Sequence, residues 1–167
     1  MRRLLPILAT LVAAAPAWAA PAPAQVPAGE QPVDPYTQAD ANAGSTPFTG
    51  DAMLRAFHGR EGIGRIVDDL VERAVADPRI SDIFQNQDLV RLRRTLKEQL
   101  CFLLAGGCAY SGRDMASAHA NMGIRRSDFN ALVEDLQHAM DKEGVPFRAQ
   151  NRLLAKLAPM ERTTVTR

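Results

Sequence analysis

Aromatic residues are scarce in this chain: two Tyr, six Phe and one Trp make up 5% of 167 residues. A β-sandwich draws on aromatic and β-branched runs, so the shortage counts against one. With 46% hydrophobic residues, the core has to come from Leu, Ile, Val and Ala, which suits helices. Cysteine is nearly absent, with only Cys101 and Cys108, and no Cys/His spacing of a zinc site occurs. No phosphate-binding glycine loop and no nucleophile–base–acid grouping is present, which leaves a hydrolase reading unsupported. Neither sign of charge dominates, with 20 basic and 19 acidic residues, so nucleic acid has no electrostatic footprint here. No apolar run reaches the length of a membrane span, and stable membrane insertion is not expected.

What is present begins with an export pattern. Met1-Arg2-Arg3 is a charged start, Leu4 to Ala15 is a short apolar run, and Ala17-Trp18-Ala19 is a small-x-small cleavage site. Residues 1–19 are expected to be a signal peptide, and the chain to be exported to the periplasm. Without Arg2 and Arg3 the remainder holds 18 basic and 19 acidic residues, a net charge near −1. Residues 20–50 are rich in Pro, Ala, Gln, Gly and Thr without apolar periodicity, and are expected to be a disordered leader.

The folded domain is expected over residues 51–163, with 164–167 a tail. Asp51 to Phe57 reads as a short helix ending near His58-Gly59. Ile63, Ile66, Val67, Leu70, Val71, Ala74 and Val75 recur at helical spacing, and Pro78 closes that helix. A turn over Arg79 to Phe84 should bury Ile80, Ile83 and Phe84. Asp88 can cap the next helix, whose apolar face is Leu89, Leu92, Leu96, Leu100 and Leu103. Ser127 can cap another that turns Phe129, Leu132, Val133, Leu136 and Met140 inward. The last helix is expected from Phe147 to Ala158. Nothing alternates at period two for long, so the fold class is all-α, with five or six helices.

One stretch, Tyr110 to Ile124, stands apart. Ser111 or Asp114 can cap a short helix there, and Gly123 can end it. Met115, His119 and Met122 stand at i, i+4 and i+7, on one face. Histidine on an apolar stripe is awkward unless something engages its nitrogens. Two readings stay open on the residues alone: a histidine hydrogen-bonded to a carbonyl, and a ligand. His138 lies off its helix's apolar stripe and His58 lies in a turn.

The order and spacing of several stretches resemble group I truncated haemoglobins, the two-over-two helical sandwich of the globin fold. They are DDLVERAVADPRISDIF, the Gly-Gly turn, Tyr110-Ser-Gly-Arg-Asp-Met115, Ala118-His119, Gly123-Ile124, Asp128-Phe129, GVPFRAQNRLLAKLAPM and the final TVT. The likeness covers residues 52 to 163. It implies a haem b cofactor with His119 as the iron ligand and Phe84 stacked on the porphyrin. Met115, Met122, Ile124 and Phe129 would line the proximal side or the haem edge. The absence of Cys-x-x-Cys-His argues against covalent attachment. Arg93, Arg94 and Arg125 are candidate partners for the two propionates.

The departures from the family carry the functional expectation. Where relatives place a Phe-Tyr pair, this chain has Leu70-Val71. Where they place a distal glutamine, gapless counting gives Leu96, and one turn earlier Leu92. The distal wall is thus expected to be Val71, Leu92, Leu96 and Leu100, with Gln99 the one polar side chain able to reach in. Bound oxygen carries partial negative charge, and a charge-assisted donor contributes roughly 1.5–3 kcal/mol. Its loss should lower oxygen affinity by about one to two powers of ten and affect CO less. Efficient nitric oxide dioxygenation, which needs a stable oxygen complex and an electron donor, is disfavoured. A gas-binding protein for O2, CO or NO is therefore expected rather than an enzyme, with peroxidase-like or NO-related redox chemistry left open. A haem-free helical interaction module that kept the globin fold is the alternative.

The usual Gly-Gly near the start of the family reads His58-Gly59 here. Cys101 and Cys108 leave two outcomes open. Along a continuous helix they would stand about 10 Å apart, too far for a disulfide. A chain reversal at Gly106-Gly107 would permit one in an oxidising compartment.

Overall fold

The computed structural model describes residues 26–167; the expected signal peptide lies outside them. All regular structure among the described residues is helical. Eight α-helices follow in order: α1 Ala52–Ala56, α2 Gly59–Ala76, α3 Ser81–Phe84, α4 Leu89–Leu103, α5 Met115–His119, α6 Arg126–Lys142, α7 Phe147–Leu157 and α8 Glu161–Thr164. Short 3-10 turns occupy Asp40–Ala43 and Ala158–Met160.

Helices α2, α4, α6 and α7 form the body, with α2 packed against both α4 and α6, and α6 against α7. The apolar stripe of α2 supplies Ile63, Ile66, Val67 and Val71, all 0–1% exposed. They meet Leu100 and Leu104 at the end of α4, Leu136 and Met140 from α6, and Leu153 from α7. Each such side chain, fully buried, contributes about 1.5–3 kcal/mol. Gly62 permits the close start of α2, because a Cβ there would stand 2.1 Å from the Phe57 carbonyl oxygen. His58 keeps the left-handed conformation (φ 56°) that its place in a Gly-Gly pair would require. Its Nδ1 lies 3.0 Å from Glu143 Oε1, tying the turn to the end of α6.

Asp88 caps α4 as expected, accepting from the Arg91 N–H at 2.9 Å. Ser127 does not cap α6. That helix begins at Arg126, and Asp128 accepts from the Arg125 N–H at 2.9 Å; a carboxylate three residues on outcompetes the hydroxyl inside the first turn. The chain also does not stop being helical at Ala158, since α8 follows. Thr164 is buried, and the Thr166 and Arg167 N–H groups donate to the Ile124 carbonyl at 2.9 and 3.2 Å. The expected tail is thus part of the fold.

The cysteines are bridged, with Cα atoms 5.7 Å apart, and the free-thiol outcome does not hold. Ala105 takes φ 61° and Gly106 folds back under Cys101, its N–H donating to the Cys101 carbonyl at 2.7 Å. A Cβ at Gly106 would stand 2.7 Å from Cys101 Sγ, so glycine there is a requirement of the bridge.

The larger correction concerns the leader. Over its described part, 26–50, it is docked on the domain rather than disordered. Glu30 is 1% exposed at its side chain and pairs with Arg91 and Arg94. The Gln31 N–H donates to Asp88, the Tyr36 hydroxyl to the Ser111 carbonyl, and the Asn42 amide to the Gly112 carbonyl. Asp40 accepts from the Tyr110 N–H, and Ala43 is fully buried. Scattered polar contacts hold this segment together with Ala43 and Phe48 packed inward, too few apolar residues to make a period.

Candidate functional site

The short helix α5 is set by Asp114, which accepts from the Ser117 N–H at 3.0 Å. Ser111, the other candidate cap, bonds instead to Glu98 through both its N–H and its hydroxyl. After one turn the helix ends, and Asn121 and Gly123 take positive φ. The result is a rigid turn that places His119 at its last position, half-buried. His119 Nδ1 lies 2.8 Å from the Met115 carbonyl oxygen. A carbonyl only accepts, so Nδ1 carries the proton and Nε2 carries the lone pair. A ring oriented this way is prepared as a metal ligand.

His119 lines a cleft of about 650 Å³ between α4 on one side and α5 on the other. Phe84, at the end of α3, reaches it, as do Met115, Met122, Ile124 and Phe129 on the His119 side. Val71, Leu92 and Leu96 line the opposite side. Nine of the ten site residues expected from sequence are thus brought together. Leu100 is not: it is 3% exposed and packs in the core with Met53 and Phe57. Its neighbour Gln99 still lines the cleft, and Leu100, about 100° further round α4, turns into the core instead.

Several lining residues escaped the sequence reading: Ile80, Ile83, Thr95, Tyr110, Thr164, and from the leader Pro32 to Asp34 and Tyr36. The helical spacing of Thr95 and Gln99 around Leu92 and Leu96 was available as a signal; the leader offered none. Four neutral side-chain donors among the lining residues, those of Thr95, Tyr36, Tyr110 and Gln99, are already engaged. The Thr95 hydroxyl donates to the Arg91 carbonyl at 2.9 Å, and the Tyr36 hydroxyl to the Ser111 carbonyl at 2.8 Å. The Tyr110 hydroxyl donates to the Arg113 carbonyl at 3.1 Å; burial pushes its pKa up to about 12, so it stays protonated. Gln99, 7% exposed, donates to the Ala43 carbonyl at 2.9 Å and approaches the sulfurs of Met115 and Met160. The side chain expected to reach into the cleft is therefore tied to the leader.

The cations of the cleft are Arg91 and Arg113. The three arginines expected to meet carboxylates are elsewhere. Arg93 and Arg94 line a separate cavity beside Cys101 and Cys108, and Arg125 is exposed ahead of α6. They occupy the faces of their elements turned from the cleft, which charge alone does not reveal.

Helices in this order, around a cleft with one poised histidine, define a globin of the truncated, two-over-two class. The sequence model of the bacterial-like globins matches residues 53–166, and the chain belongs to that family. It is 29% identical over 124 residues to Group 1 truncated hemoglobin LI410 of Chlamydomonas moewusii, covering 71% of this chain and 72% of that one. It is 31% identical over 74 residues to the Group 1 truncated hemoglobin of Tetrahymena thermophila, covering 44% of this chain and 61% of the relative's length. The crystal structure of the Tetrahymena pyriformis truncated hemoglobin, Fe(III) form, superposes with a TM-score of 0.66 at 22% identity. The match covers 69% of this chain and 98% of that one. A group II truncated hemoglobin from Bacillus anthracis gives 0.63 at 22% identity, over 71% and 94%.

Proposed function

We propose that this protein binds haem b non-covalently in the α4–α5 cleft and there binds small diatomic gases, O2, CO or NO. One observation carries the reading: His119 Nδ1 donates to the Met115 carbonyl, so Nε2 is left with a lone pair on a residue lining the cleft. The residues fit the cofactor. The cleft, at about 650 Å³, lies within the roughly 300–1,000 Å³ usual for cofactor pockets. Its lining is mainly apolar, Phe84 offers a flat ring, and Arg91 and Arg113 offer charge for two carboxylates. Haem, when bound, supplies an iron with one position for a histidine and one for a gas.

The chain's own contribution follows from its side chains. His119 holds the proximal position, with its tautomer fixed from behind by Met115. Val71, Leu92 and Leu96 exclude water on the distal side and offer no donor. Weak oxygen binding and good CO binding follow. The haem-free interaction module has no specific support, since the cleft keeps its histidine and its aromatic ring. We further propose export to the periplasm. The pattern of residues 1–19 supports it, and so does the Cys101–Cys108 bridge, which suits an oxidising compartment.

The test is an optical spectrum of the protein with added haemin, ferric, then dithionite-reduced, then under CO, beside His119→Ala. A Soret band that shifts with CO, and that weakens in the variant, is expected. A wild type without a stoichiometric Soret band would overturn the reading.

A further inference from the structure

The leader lies outside the residues matched by the family, which begin at position 53. Yet both arginines of the cleft are held by it. Arg91 Nε donates to Glu30 Oε2 at 3.0 Å and its Nη2 to the Gln31 carbonyl. Arg113 Nη2 donates to the Asp34 carbonyl at 3.0 Å, and its guanidinium lies 5.0 Å from the centre of the Tyr36 ring. Tyr36 is itself fixed through its hydroxyl to the Ser111 carbonyl. Pro32, Val33, Asp34 and Tyr36 also form part of the cleft wall.

We infer that residues 30–36 are a built part of the cofactor site: they position Arg91 and Arg113 to meet the two carboxylates of the bound group. This rests on the haem reading above. An arginine on a long side chain has many rotamers, and fixing it beforehand lowers the entropic cost of each bond it later makes. Glu30 is the anchor. Its side chain is 1% exposed, and its carboxylate is shared between Arg91 and Arg94. It engages Arg91 at Nε while the Gln31 carbonyl engages Nη2, so Nη1 remains for a further acceptor. Tyr36 does the same for Arg113 by stacking, a contact that uses none of the guanidinium N–H groups. Glu30 and Tyr36 are positioning residues that act through the two arginines.

The experiment compares haem with its dimethyl ester, whose carboxylates are blocked. The full chain, Glu30→Gln and Tyr36→Leu are each loaded with either porphyrin, and loss to excess apomyoglobin is timed by the Soret change. Circular dichroism of each apoprotein confirms its fold. For haem, either variant should lose the cofactor about tenfold faster than wild type. For the ester, wild type and variants should lose it at the same rate. Equal acceleration for both porphyrins would show only a loosened wall and would overturn the inference, as would no acceleration with either. A wild type that takes up the ester but not haem would overturn it too. A wild type that takes up neither porphyrin would defeat the haem reading itself, which separates the two failures.

Discussion

The two walls of the cleft are built on opposite terms. On the α5 side, one polar group is kept and controlled: His119, oriented by Met115 and placed by the Asp114 cap. On the α4 side, Leu92 and Leu96 face in, the polar Thr95 and Gln99 are bonded to carbonyls, and Arg91 is paired with Glu30 of the leader. The difference separates two functions that a globin usually combines. A histidine holds the cofactor whatever lies opposite it. Stabilising a polar ligand requires a donor opposite, and Val71, Leu92 and Leu96 carry none. Under the proposed haem reading, holding the cofactor and retaining oxygen would be independent properties that fall to different helices.

The largest effect that could break this contrast is at the proximal wall. His119→Gly should abolish the Soret signature of an axial histidine, and added imidazole should restore it, because the variant opens a ring-sized space in an otherwise intact cleft. A variant spectrum unchanged from wild type, measured without imidazole, would mean that another side chain holds the iron.

The disulfide comes next. It pins the end of the distal helix, closing a loop of separation 7. In the chain-entropy account such a loop stabilises by about 2–3 kcal/mol. Cys101→Ser with Cys108→Ser should lower the thermal midpoint by several degrees, measured by circular dichroism. Because His119 stands on α5, its spectral signature should survive below the new midpoint. Loss of both together would mean that the walls are not independent.

Leu96→Gln sharpens the contrast from the other side. It adds a donor to the apolar wall and should slow oxygen dissociation by about tenfold or more. Carbon monoxide dissociation should change much less. Stopped-flow mixing of the oxygen complex with CO reads the first, and displacement of CO by NO the second. An equal change for both gases would point to sterics rather than to a hydrogen bond.

How much of this was legible beforehand divides along a physical line. Helical periodicity located α2, α4 and α6, because burying a stripe requires it. The spacing Met115–His119–Met122 located the histidine for the same reason. Leu100 was misplaced because residues four apart drift about 40° round a helix, and the apolar stripe of α4 passes from the cleft to the core between Leu96 and Leu100. The leader was missed outright. Glu30, Tyr36 and Asn42 hold it by scattered contacts more than 50 residues away in sequence, and such contacts leave no local pattern. That Arg91 rather than Arg93 lines the cleft was hidden for a related reason: the two stand two apart on α4, on different faces, and nothing local says which face the cleft takes.

A control away from both walls is available at Glu143, and its effect is the smallest. Its carboxylate receives the Arg65 guanidinium and lies beside His58, which hold its pKa down at about 2 from an ordinary 4.5. A carboxyl with a depressed folded pKa contributes stability that is full above the unfolded value and is lost as pH falls through the folded one. Arg65 is more than half exposed at its side chain, so solvent screening limits the gain to about 1 kcal/mol or less. Glu143→Gln should therefore melt a few degrees below wild type at pH 6, with the gap closing as pH falls from about 4.5 towards 2. Thermal melts of both proteins across that range measure it. A gap that persists at pH 2 would assign the loss to packing rather than charge. The cofactor spectrum should not respond at any of these pH values where the fold holds, since Glu143 joins the end of α6 to the His58 turn, and neither lines the cleft.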